Sequence, residues 1–171
     1  LFGKHGAEKW NVSDGAWDKL VKLLTPVVEL PKNSDITLVV ETGNNAMITS
    51  CFLGRKLIDD LNTEHLKVLW DPANALYCGE NPSKNALDSM EGGYLGHVHM
   101  KDVEVSIHQA TIECVALGRG QMSPHLQAIS DRLNAIGYDG SMSLESVYRP
   151  SDGDFEDGFN ASIEKFKSLY S

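Results

Sequence analysis

The sequence predicts an α/β fold in which parallel strands alternate with helices, and two patterns carry that expectation. Short apolar or β-branched runs recur near residues 36–41, 65–71, 94–101 and 140–145, set off by polar or glycine-containing turns. Between them lie longer stretches whose apolar residues fall three and four apart, the spacing of an amphipathic helix. Strand–helix alternation of this kind builds right-handed βαβ units and hence a parallel sheet. The first run, Ile36-Thr-Leu-Val-Val-Glu41, is apolar almost throughout, as suits a strand covered on both faces.

Taken in order, Leu1-Phe2 reads as the tail of a strand running into a glycine-rich loop. Asp14 then caps a helix to Val28, with Trp17, Leu20, Leu24 and Val27 on one side. After the first strand, Ala46 to Leu61 has helical spacing through Ile48, Phe52, Leu57 and Ile58. His65 to Asp71 is the second strand. Asn81 to Met90 is expected to form a short helix with Ser83 as its cap. Tyr94 to Lys101 is the third strand. The alternations in Val103 to Leu117 suggest a small inserted hairpin. Ser123-Pro124 opens a helix with Leu126, Ile129, Leu133 and Ile136 as its stripe, and Gly137 closes it. Ser141 to Glu145 is the fourth strand, and Phe155 to Tyr170 the last helix, with Phe159, Ile163 and Phe166 on one side.

Composition narrows the function. At 171 residues, 42% hydrophobic and 23% charged, the chain suits a single domain spanning 1–171 with a real core. A net charge of −9 speaks against a nucleic-acid partner, because phosphate binding needs clustered Lys and Arg. No run approaches the roughly 18 apolar residues of a membrane span, and no signal peptide is visible. Cys51, Cys78 and Cys114 are odd in number and lack a CxxC, so they read as free thiols in a reducing cytoplasm, each a small buried hydrophobe.

The four strand ends carry the chemistry. Glu41 closes the first strand, Asp71 the second and Glu145 the fourth, and His99 lies at the end of the third. The carboxyl ends of parallel strands all face one side, where sites form. One acid at a strand end is common; a ligand-type residue at four of four argues for a shared site. Three carboxylates and an imidazole suit a divalent ion, Mn²⁺ foremost, with Mg²⁺, Co²⁺ or Zn²⁺ as alternatives. Such an ion would polarise a substrate carbonyl, and glutamates on opposite sides would remove and return a proton on the adjoining carbon. His97 and His99 share a face of their strand, with His97 about 6.6 Å deeper by the two-residue rise. His99 is thus the expected ligand, and His97 a nearby histidine orienting a carboxylate or facing substrate. The sequence Leu117-Gly118-Arg119-Gly120 lacks a phosphate-loop pattern.

Together, Val-Val-Glu41-Thr-Gly-Asn-Asn, Leu-Trp-Asp71-Pro-Ala-Asn, Gly-His-Val-His99-Met-Lys-Asp, Leu-Gly118-Arg-Gly120 and Gly-Tyr-Asp-Gly-Ser-Met-Ser-Leu-Glu145 resemble the xylose isomerase-like TIM-barrel superfamily, within it the sugar phosphate isomerase/epimerase group. The resemblance runs from about Asp14 onward and implies the C-terminal half of a (β/α)-barrel, strands five to eight. It implies a divalent metal held by Glu41, Asp71, His99 and Glu145, with Glu41 and Glu145 also the acid–base pair of a sugar or sugar-phosphate isomerase or epimerase working through an enediolate. Ketose 3-epimerases of the family place a substrate-binding histidine where this chain has Asn74. Asn74, His97, Lys101, Arg119 and Arg149 are the substrate-binding candidates. An inosose-type dehydratase and an apurinic endonuclease share the superfamily; the latter would want more histidines and a basic groove.

A closed barrel of this type takes about 250 residues, and Leu1 in place of Met suggests a fragment or processed piece. Four open parallel strands would leave two bare edges. The expectation is therefore a homodimer, or association with an absent N-terminal half; a non-catalytic half-barrel that needs a partner chain is the bland alternative.

Overall fold

The computed structural model describes residues 15–106 and 108–170. The expected strand tail at Leu1-Phe2 and the Asp14 cap lie outside the described residues. Helix α1 (Ala16–Val28) is followed by a 3-10 turn at Leu30–Asn33 and strand β1 (Leu38–Glu41). Then come α2 (Cys51–Leu61), β2 (Leu66–Trp70), α3 (Pro72–Tyr77), a 3-10 turn at Leu87–Met90 and β3 (Leu95–Met100). The hairpin β4 (Asp102–Ser106) and β5 (Thr111–Val115) intervenes before α4 (Leu126–Ala135), β6 (Ser141–Leu144) and α5 (Phe155–Tyr170).

The main sheet has the order β1-β2-β3-β6, with every neighbouring pair parallel. Its strands lie side by side in chain order, with no reversal partway. A doubly wound sheet reverses at a switch point; steady progression in one direction is how a barrel is built. The expected hairpin is present, with Asp102 opposite Val115 and Ser106 opposite Thr111 in an antiparallel ribbon of its own.

The core lies between the sheet's outer face and the helices. Val68, Trp70, Val98 and Met100 are fully buried there, joined by Leu57, Leu126 and Ile129. Burying side chains of this size supplies about 1.5–3 kcal/mol each, the main force holding helices to sheet. The opposite strand positions, Val39 on β1, Leu69 on β2 and His97 and His99 on β3, are only partly covered or exposed.

Three helix expectations are corrected. The first concerns α2, which starts at Cys51 rather than Ala46. The Ser50 side chain accepts from Leu53 N–H there, satisfying an orphan donor of the first turn. The preceding residues form a turn closed by Gly43 N–H to Ile48 O. Secondly, the helix expected over 81–90 is a turn followed by only the 3-10 segment Leu87–Met90, and a helix not expected, α3, stands at Pro72–Tyr77. Its signal was legible: Asp71 is the N-cap and Pro72 the first helical residue, where a missing N–H costs nothing. Thirdly, α4 begins at Leu126, with Ser123-Pro124 in the turns ahead of it. Some stripe residues also face outward, since Phe52 is 63% and Phe159 41% exposed. On α2 the buried side is Cys51, Gly54, Leu57 and Ile58. The three cysteines are free, but only Cys51 is buried; Cys78 is exposed and Cys114 intermediate.

Candidate metal centre

One irregularity aims the third strand. Between β2 and β3 the register slips, Val68 facing Leu95 while the next residue, Leu69, faces His97. Gly96 is the extra residue of a bulge, between Leu95 and Val98, which both point into the core. A Cβ on Gly96 would lie 2.7 Å from Lys67 Cβ and 3.0 Å from Val39 Cγ1, so the bulge needs glycine. From there the alternation puts His97, His99 and Lys101 on the inner face. The same alternation turns Glu41, Asp71 and Glu145 inward at the ends of β1, β2 and β6.

The result is a cluster in which Glu41, Asp71, His99 and Glu145 each offer a ligand atom within 4.8 Å of the others. Asp71 is the most firmly built. It is fully buried, and its Oδ1 accepts the backbone N–H of Ala73 and Asn74 at 3.0 and 3.1 Å, the first turn of α3. Its own N–H donates to Thr42 Oγ1 at 2.9 Å, tying β2 to the residue after Glu41. The Asn74 side chain donates to Asp71 Oδ2 at 3.0 Å and to Thr42 O at 3.1 Å.

His99 Nδ1 is buried without a hydrogen-bond partner among the described residues. It lies 3.5 Å from Glu41 Oε1 and 3.8 Å from Glu145 Oε2, beyond a normal hydrogen bond. A buried polar atom left unpaired is costly, and one facing two carboxylates across such a gap is what a divalent ion would satisfy. The hard oxygen and imidazole donors fit Mn²⁺, Mg²⁺, Co²⁺ or Zn²⁺, so the residues present fit a metal ion.

A cation already stands in the cluster. Lys101 Nζ lies 2.6 Å from both Asp71 Oδ2 and Glu145 Oε2. Burial pushes the Asp71 carboxyl up to about 6, against the downward pull of Lys101 and the Asn74 N–H. Burial opposes ionisation of Glu145 too, but there the hydrogen bond and charge of Lys101 win and hold the carboxyl below its ordinary value. Burial disfavours the Lys101 ammonium, yet the two carboxylates keep its pKa above the usual lysine value.

The other expected site residues divide. His97 Nε2 is 2.8 Å from Ser143 Oγ, and its ring meets that of His99 edge-on at 5.2 Å between centroids. It is thus tied to a hydroxyl rather than to a carboxylate. Burial, then the neighbouring His99, lowers the His97 pKa. Asn74 has its amide turned to Asp71 and Thr42. Lys101 belongs to the carboxylate cluster. Arg119 is exposed between Gly118 and Gly120, and Arg149 Nε donates to Gly153 O. Neither arginine makes an ion pair or hydrogen bond with the cluster among the described residues.

Two supporting residues are not among the expected site residues. Thr42 is fully buried and links Glu41's strand end to Asp71. Asp102, also fully buried, accepts backbone N–H bonds from Val103, Gly118, Gly120 and Met122 at 2.8–2.9 Å. It pins the loop after the hairpin beside Lys101. A Cβ on Gly120 would stand 2.5 Å from Asp102 Oδ1 and from Val103 O, which explains the glycine.

Parallel strands in chain order, with convergent polar side chains at their carboxyl ends, define half of a (β/α)-barrel with its site at the usual face. The chain belongs to the xylose isomerase-like TIM barrel family, which it matches over residues 2–169. Among solved structures it is similar to an L-ribulose 3-epimerase (23% identity, TM-score 0.69, covering 92% of this chain and 49% of that one). It is also similar to D-psicose 3-epimerase from Clostridium cellulolyticum H10, crystallised with D-tagatose (18%, 0.71, 96% and 60%). A third is the probable 3-DHS dehydratase AsbF from Bacillus anthracis (17%, 0.67, 91% and 58%). The chain thus spans about half the length of these proteins. No curated protein matches it. None of the described helices is long and apolar enough to cross a membrane.

Proposed function

We propose that this chain carries the metal and acid–base half of a divalent-metal-dependent sugar or sugar-phosphate isomerase or epimerase. The observation that carries the reading is His99 Nδ1, buried and unpartnered between Glu41 and Glu145. Glu41, Asp71, His99 and Glu145 would hold the ion, with Mn²⁺ the best fit to three carboxylates and one imidazole. A bound ion supplies Lewis-acid polarisation of the substrate carbonyl. The chain's own residues move the proton. One of Glu41 and Glu145 takes it from the carbon beside the carbonyl, leaving an enediolate and a neutral carboxyl. The other, neutral at the start of the turnover, gives its proton to that carbon from the opposite side, which inverts the carbon and leaves this carboxyl ionised. Glu145 suits the first role, because Lys101 keeps it ionised. His97, Lys101, Arg119 and Arg149 are the proposed contacts to sugar hydroxyls or phosphate, and Asn74 acts on substrate through Asp71. The names of two structural neighbours, a ribulose and a psicose 3-epimerase, support this substrate class. Free thiols fit a reducing, cytoplasmic setting.

A dehydratase reading draws on the neighbour named as a 3-DHS dehydratase and needs the same proton abstraction, followed by loss of hydroxide. The two separate by product mass, which dehydration lowers by one water. For the epimerase reading, incubation with D-psicose or L-ribulose and Mn²⁺ in D₂O is expected to place deuterium on carbon. Glu145→Gln should reduce that exchange by about a hundredfold or more. Undiminished exchange in the variant would remove Glu145 from the mechanism. Mn²⁺ binding asks nothing of the rest of a barrel, and its loss in Glu41→Gln and His99→Ala tests the ligand set by itself.

A further inference from the structure

Asp71 holds more donors than a metal ligand can keep. Oδ1 accepts the N–H groups of Ala73 and Asn74, and Oδ2 accepts the Asn74 amide at 3.0 Å and is ion-paired with the Lys101 ammonium at 2.6 Å. An ionised carboxylate offers about four lone-pair sites; three take hydrogen bonds, and the Lys101 ammonium crowds what is left of Oδ2. Two of those donors are backbone groups in the first turn of α3 and cannot leave without unwinding it. The third, the Asn74 amide, is itself held to Thr42 O at 3.1 Å. Only Lys101 rides on a flexible stem.

We propose that Lys101 is an internal counter-cation that closes the metal-free centre and must give up Asp71 Oδ2 before a divalent ion binds there. The inference rests on reading Glu41, Asp71, His99 and Glu145 as the ligands, and it concerns what sets their affinity. Two effects oppose each other when Lys101 is removed. Loss of the ammonium lets the carboxylates repel and loosens Glu145, which weakens a prearranged site. Loss of a positive charge a few ångströms from the ion removes cation–cation repulsion and vacates a lone pair, which strengthens binding. The second effect is the larger. Asp71 keeps three other donors and stays in place without Lys101, while the repulsion acts in a largely buried setting where it is weakly screened.

The test is calorimetric titration of the whole chain with Mn²⁺, alongside Lys101→Met. The variant should bind Mn²⁺ about tenfold more tightly or better. Without metal it should melt at a lower temperature than the parent, and Mn²⁺ should raise its midpoint by the larger margin. Binding by the variant alone would support the proposal still more strongly. Equal or weaker binding by a folded Lys101→Met chain would overturn it and leave the ligand set standing; no Mn²⁺ binding by either chain would bring down both. If the variant does not fold, amine labelling of the unaltered chain decides. Saturating Mn²⁺ should speed acylation of Lys101 relative to exposed Lys19, and unchanged or slower labelling would overturn the proposal.

Discussion

Glu80 shows how one side chain makes this fold sensitive to pH away from the metal centre. Its carboxylate accepts Cys51 N–H at 3.1 Å, capping α2 from a distant loop. Burial pushes it from 4.5 up to about 7, against the downward pull of that bond. A carboxyl whose folded pKa lies above its unfolded one binds more protons when folded, so stability is present below the unfolded value and falls as pH rises through the folded one. Metal-free chain should therefore lose stability between about pH 4.5 and 7. Asp71, raised to about 6, adds to the same slope. Glu80→Gln is expected to flatten the slope, leaving the Asp71 part. Urea midpoints at pH 5 and pH 8 for both chains check this, and parallel curves would contradict it.

At the scale of elements, the bulge at Gly96 decides whether β3 presents its histidines at all. Leu95 and Val98 are both buried outward, and only an extra residue between them allows His97 and His99 to face inward together. Gly96→Ala would drive a methyl group into Lys67 and Val39. The expected cost is about 1–3 kcal/mol in a denaturant titration, as for other overpacked sites. Weaker Mn²⁺ binding should accompany it as His99 tilts away from Glu41 and Glu145. A neutral substitution would mean that the strand relaxes and that the bulge is not what aims the histidines. The same scale shows where local reading succeeds and fails. The period-two and period-three-to-four patterns locate β1, β2, β3, β6, the hairpin, α1 and α5, because those elements bury a regular face. Helix α3 is only six residues long, too short for a periodic stripe, and its start was hidden in an aspartate read solely as a ligand.

At the scale of the whole molecule, the two outer strands of the main sheet offer edges for a partner to cover. β1 and β6 are the outer strands of the four-stranded sheet, and β1 has Val39 43% exposed. A groove of about 410 Å³ lies along β1, lined by Leu20, Leu24, Val28, Val39 and Met47 among others. Bare strand edges pair with whatever complementary strand is offered. The two edges run parallel, so β6 of one copy can lie beside β1 of a second, twice over, about a twofold axis along the barrel. We expect a species of twice the chain's mass in sedimentation equilibrium, and Val39→Lys to shift it to the monomer. A monomer at all concentrations would leave the edges to the other half of a longer barrel instead.

By itself the sequence determined the strand–helix alternation, the acid or histidine at each strand end, and the shared face of His97 and His99. Each depends only on residues near one another in the chain and on the fixed periods of helix and strand. Tertiary structure alone decided the rest. It set Lys101 between Asp71 and Glu145, the latter 44 residues away, and it gave Asp102 the loop from Gly118 to Met122 as partner. It also committed Asn74 to Asp71 and Thr42, and left both arginines outside the carboxylate cluster. These contacts depend on how far one strand is staggered against the next and on where a loop returns. No local pattern encodes that, because the packing of side chains distant in the chain sets it.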